Sequence, residues 1–181
     1  MSTSLKLLTF EEFADELLAE RQPRALVILA SAQIDNQLRN LIELFFRPKA
    51  AKAKDSDELL DGDTPLATFS SRIKISYRLG IIDLPLAQTL HKVRDIRNKA
   101  AHMIMFGVAD SPLRELLKVL NGLVTSRRSY QLTVKRFFGD DELNDMQTLQ
   151  AMLLTICVLL ASIETAVDER ALTRIPNISL D

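Results

Sequence analysis

The sequence predicts an all-α fold, and three observations carry that expectation. Helix-start signals recur: Thr9 to Glu12 has capping-box spacing, and Thr64-Pro65 and Ser111-Pro112 each place a hydroxyl cap before a proline. Between these signals, apolar residues return every third or fourth position. Only five glycines are present, no internal repeat is visible, and strand signals are weak. A length of 181 residues suits a single domain with its own core, and short connections favour up-and-down packing of neighbouring helices.

The first helix starts at Thr9 and carries Phe10, Phe13, Leu17 and Leu18 at helical spacing. Gln22-Pro23 interrupts it, because the residue before a proline avoids the α region. The second helix runs from Pro23 to Phe46. It is apolar all round from Ala25 to Ala30, then amphipathic, with Val27, Ile34, Leu38, Leu41 and Phe45 on one face, which places it at the centre of a bundle. Arg47-Pro48 ends it.

Residues 49–63 read as a loop, in which Ala50 to Lys54 precede an acidic cluster of Asp55, Asp57, Glu58, Asp61 and Asp63. A solvated loop is the plain reading of that cluster, and partner docking or metal binding is the alternative. Its spacing is not that of an EF-hand, since Gly62 is not followed by the required glutamate. Thr64-Pro65 opens a helix that closes at Gly80, and Ile81-Ile82-Asp83 leads into the next, from Leu84 to Met105. Ser111-Pro112 opens a helix to Thr125. Residues 129–138 are ambiguous: Thr133 and Val134 would suit a strand, but no partner strand is apparent. Asp140 or Asp141 caps a final helix to Arg170, and a tail begins at about residue 175 with Ile175-Pro176.

The net charge is −1, so the chain has no bulk electrostatic drive toward nucleic acid or anionic lipid. Its one cysteine, Cys157, lies in the apolar run 151–160 and reads as core. That run falls short of the roughly 20 residues a membrane span needs. Met1 to Lys6 has no signal-peptide character, and a cytoplasmic protein without membrane contact is expected.

The helix from Leu84 carries the most chemistry. At about 100° per residue, His91, Asp95, Asn98 and His102 share one narrow face, with Arg94 beside them. Both histidines of the chain lie on this stripe. Leu90, Val93, Ile96, Ala100 and Ile104 hold the opposite side, and Arg97 projects about 140° from His102, toward them. An inward guanidinium needs a buried partner, and Asp35 or Glu43 are the candidates. The two histidines are about 16 Å apart along the axis, too far to share a metal ion. No glycine-rich phosphate loop or Ser-His-Asp set is visible, and no cofactor is expected. From Arg72 to Lys99 the charge is +5, and Arg72, Lys74 and Arg78 are candidate phosphate contacts within it.

Two resemblances follow. Arg97-Asn98-Lys99-Ala100-Ala101-His102 resembles the Arg-polar-xxx-His motif of HEPN domains, many of which are helical ribonucleases that act as dimers. That likeness implies a histidine acid or base with an arginine on phosphate, so Arg97, Asn98 and His102 are its catalytic candidates. A longer likeness is to the bacterial mannitol operon repressor family. It runs through Arg24–Asp35, Leu59–Ile73, Tyr77–Ile82 and Ile96–His102, in family order, across residues 24–105. It implies an all-helical, non-enzymatic repressor of sugar-alcohol uptake genes. It brings no DNA-reading element, so a regulatory protein partner is expected first and direct DNA contact stays open. A homodimer is a further expectation. His91, Arg94, Asp95, Arg97, Asn98 and His102 are the binding candidates.

Overall fold

Among the described residues seven helices follow one another: α1 (Phe10–Ala19), α2 (Pro23–Glu43), α3 (Phe69–Arg78), α4 (Leu84–His102), α5 (Ser111–Val124), α6 (Arg128–Phe137) and α7 (Asp145–Ala171). The structure, a computed structural model, describes residues 9–46, 57–103 and 111–171, and no strand occurs among them. The expected tail, Ala50 to Asp55, Ile104 and Met105 lie outside the described residues.

The core is built around α2 and α7, which pack on each other more extensively than any other pair. Leu26, Ile34, Leu38 and Leu41 of α2 meet a stretch of α7 buried without a break from Leu149 to Cys157. α4 packs on α2 and α5, α3 on α2 and α4, and α6 on α7. By length and composition Asp145–Ala166 could cross a membrane, a longer apolar stretch than the run at 151–160 suggests, but more than half of its most apolar window is buried inside the bundle. Burial pushes the Cys157 thiol far up, so it stays protonated and unreactive.

Two glutamine amides cross the core. Gln37 Nε2 donates to the Cys157 carbonyl at 3.0 Å, tying α2 to α7. Gln150 Nε2 faces the carbonyls of Leu17, Leu18 and Glu20 at 3.0–3.1 Å. It thereby serves the C-terminal end of α1, whose last carbonyls have no partner within the helix.

Most helix starts match the sequence signals. Thr9 and Glu12 form the capping box, Pro23 begins α2, and Ser111 begins α5. Three elements differ. The helix expected from Thr64 starts only at Phe69, because the Thr64 hydroxyl donates to the Leu59 carbonyl in a turn, and Thr68 and Ser71 cap each other instead. Of residues 129–138, ambiguous in sequence, all but Phe138 are helical, in α6: buried Thr133 directs its hydroxyl to the Ser129 carbonyl one turn back. The last helix starts at Asp145 instead of after Asp140 or Asp141, with Asn144 and Gln147 capping each other reciprocally.

Candidate functional site

α2, the start of α3 and the C-terminal half of α4 enclose a cleft of about 520 Å³. α2 lines it with Ile28, Ser31, Ala32 and Asp35, spaced i, i+3, i+4 and i+7 on one helical face. Thr68 and Ser70 enter from the α3 N-terminus, and Arg94, Arg97 and Asn98 from α4. The polar face of α4 therefore divides. Arg94, Arg97 and Asn98 turn into the cleft, whereas His91, Asp95 and His102 do not line it.

Arg97 is not buried, contrary to the inward placement read from its angle. The angle does carry it toward α2, but the space there is the open cleft and not packed core. Its Nη1 donates to Asn98 Oδ1 at 3.2 Å. The partners expected for it are engaged elsewhere: Asp35 pairs with Arg72 at 2.9 Å, and Glu43 with Arg39 at 3.1 Å.

Among the described residues Arg72 is the buried arginine. Its Nε donates to the Leu66 carbonyl at 3.0 Å, Nη2 to Leu60 at 2.8 Å, and Nη1 faces Asp35. With all three nitrogens committed inside, it cannot hold a phosphate at the surface, which corrects its grouping with Lys74 and Arg78; those two are exposed. Burial raises the Asp35 carboxyl above the usual carboxylate range, against the pull of Arg72 and, more weakly, Arg97.

Arg94 is clamped by two bonds, Nη1 to Ser70 Oγ and Nη2 to Asp95 Oδ1, both 2.8 Å. Its buried Nε has no partner among the described residues. The same holds for the hydroxyl of Ser31. His91 sits apart, with a buried Nδ1 that has no partner among the described residues. Burial and the charges of Arg94 and Lys74 lower its pKa, and Asp95 opposes them. Asn98 and His102 are exposed. Arg24 at the start of α2 donates to the Met103 carbonyl that closes α4.

In the acidic loop, Asp61 pairs with Arg39 at 3.2 Å and accepts the Asp57 amide at 2.7 Å, and Asp57 accepts the amides of Leu59 and Leu60. These carboxylates hold the turn before α3. No three metal-binding side chains converge among the described residues. A separate apolar cavity of about 270 Å³ lies where α4, the α5–α6 corner and α7 meet, walled by Ile81, Leu86, Leu123, Ile156 and Leu159.

Sequence reasoning found Arg94, Arg97 and Asn98 and named Asp35 as a candidate partner of Arg97, but missed Ser31 and Ser70 as their companions. A small polar residue at Ser31, on an otherwise apolar start of α2, was the one available signal.

Two bacterial structures share this fold. A chain of the MtlR–HPr complex from Escherichia coli superimposes with a TM-score of 0.63 at 19% identity, covering 86% of this chain and 98% of its own. A possible transcriptional regulator, YggD, from Shigella flexneri gives 0.57 at 17% identity, covering 90% of this chain and 99% of its own. No protein-family model matches the sequence, and no curated protein matches it.

Proposed function

We propose that this chain is a non-enzymatic transcription regulator of the mannitol operon repressor type, acting in the cytoplasm through a protein partner on genes for sugar-alcohol uptake. The observation that carries the reading is the extent of the likeness to a chain seen in complex with HPr, nearly end to end for that chain. The sequence segments between residues 24 and 105 point the same way. The exposed end of α4, with Arg97, Asn98 and His102, offers polar groups for such a partner without moving the core.

Titration of the purified chain with HPr tests the reading. Saturable binding in the micromolar range, about −8 kcal/mol, is expected. No binding at several hundred micromolar ends it. A gel-shift on a mannitol-operon control region, repeated across a salt series, tests the indirect route. Tight, sequence-dependent DNA binding at physiological salt would overturn it.

A further inference from the structure

Behind the rim residues Arg97 and Asn98, which a partner would also meet, the cleft between α2, α3 and α4 holds buried chemistry that partner binding leaves unused. Ser31 is 3% exposed, and its hydroxyl has no hydrogen-bond partner among the described residues. An unsatisfied buried hydroxyl destabilises the fold, a loss that a ligand acceptor atom would recover. Arg94 repeats the pattern at its buried Nε, while Ser70 and Asp95 hold its other two nitrogens and fix the plane of the guanidinium.

The remaining polar lining is also rich in donors. Arg97 is exposed at the rim. α3 begins on the cleft, and the amides of Phe69 and Ser70 have no acceptor one turn back within the helix. They add the positive end of the helix dipole. Among the described residues Asp35 is the one carboxylate that lines the cleft, and Arg72 pairs with it from inside.

Donors outnumber acceptors and positive charge outweighs negative, so the complementary ligand is an anion. Two guanidinium groups, a hydroxyl and a helix N-terminus exceed what the two oxygens of one carboxylate can engage. A phosphoryl group offers three oxygens and nearly two charges. The volume lies in the range of small-molecule sites and exceeds what phosphate alone fills, and Ile28, Ala32, Ala67 and Phe69 supply apolar wall.

We propose that this cleft binds a small organic phosphate monoester, its phosphoryl oxygens held by Arg94, Arg97, Ser31 and the α3 N-terminus, and its body against Ile28 and Phe69. The site does not depend on partner binding. A chain that fails to bind HPr would still bind the ester.

Calorimetric titration of the full chain with glucose 6-phosphate, glucose and inorganic phosphate tests the proposal. Glucose 6-phosphate should bind saturably, inorganic phosphate more weakly, and glucose not at all. Arg97→Ala, at an exposed position that the fold does not need, should weaken the ester about tenfold, the scale of one charge-assisted bond. Ser31→Ala should weaken it severalfold with the helical spectrum unchanged. Arg78→Ala, exposed but outside the cleft, should leave it unchanged. Absence of saturable ester binding at millimolar concentration overturns the proposal. So does phosphate or glucose binding as tightly as the ester, or a loss in Arg78→Ala equal to that in Arg97→Ala.

Discussion

α7 and α4 are both long helices, and the chain uses them in opposite ways. α7 is buried on every side from Leu149 to Cys157, including Gln150 and Thr155, whose amide nitrogen and hydroxyl donate to backbone carbonyls. α4 buries only Ala87, Thr89, Leu90, Val93, Ile96 and Ala100, and from His91 onward leaves most of its remaining arc to charged and polar side chains. An element packed all round can set position but has no surface left for chemistry. A half-buried one receives rigidity from its inner face and delivers it to the groups on its outer face, which is why the cleft takes Arg94, Arg97 and Asn98 from α4 and nothing from α7.

That contrast can be broken, beginning where the effect is largest. Leu154→Ala, at a fully buried position of α7, should destabilise the chain by about 2–5 kcal/mol, seen as a lower urea midpoint at unchanged slope. Arg72→Ala should cost about 3 kcal/mol, because it strands the Asp35 carboxylate and the Leu60 and Leu66 carbonyls at once. If Arg72→Ala behaves like a surface substitution, the division between buried Arg72 and exposed Arg97 is wrong.

The next effect is a pH dependence. The folded pKa of His91 lies below its unfolded value, so the unfolded chain takes up the proton first as pH falls. Stability should therefore decline as the pH drops through and below about 6.5, and recover at higher pH. His91→Gln should remove that part of the decline. The raised carboxyl of Asp35 works in the opposite sense, gaining stability on acidification, so the difference between wild type and His91→Gln is the quantity to compare. Curves that are parallel across this range would show that His91 titrates alike in both states.

The smallest effects belong to the exposed end of α4. Arg97→Ala and His102→Ala should each change stability by less than about 0.5 kcal/mol, while weakening HPr binding. Neither wild type nor His102→Ala should cleave single-stranded RNA. Cleavage that His102→Ala abolishes would move the reading from regulator to HEPN-type ribonuclease.

Much of the fold was legible because it is written locally. Thr9 with Glu12, Pro23 and Ser111-Pro112 act within one turn of themselves. The α3 start was misplaced because Thr68 is capped by Ser71 instead of the usual Glu or Gln, and the stronger-looking Thr64-Pro65 is spent on a turn. β-Branched Thr133 and Val134 blurred α6, whose helix is fixed by packing on α7. The site was only half legible. Arg94, Arg97 and Asn98 are one stretch of helix, and the charge of Arg97 pointed to Asp35, but Ser31 and Ser70 reach them across the bundle, and no local pattern records that meeting. Helical angle gave the direction of Arg97 correctly; whether core or open space lay in that direction depended on how α2 and α3 are spaced.

The Gln37 and Gln150 clamps have a consequence for synthesis. The carbonyl that Gln37 bonds comes 120 residues later in the chain, and the amide that holds the end of α1 comes 133 residues after Leu17. At roughly 5–20 residues per second, α1 and α2 wait on the order of ten seconds on the ribosome before the helix that covers them exists. During that interval the apolar face of α2 has no α7 to bury it, so the nascent chain is the form of this protein most in need of a chaperone.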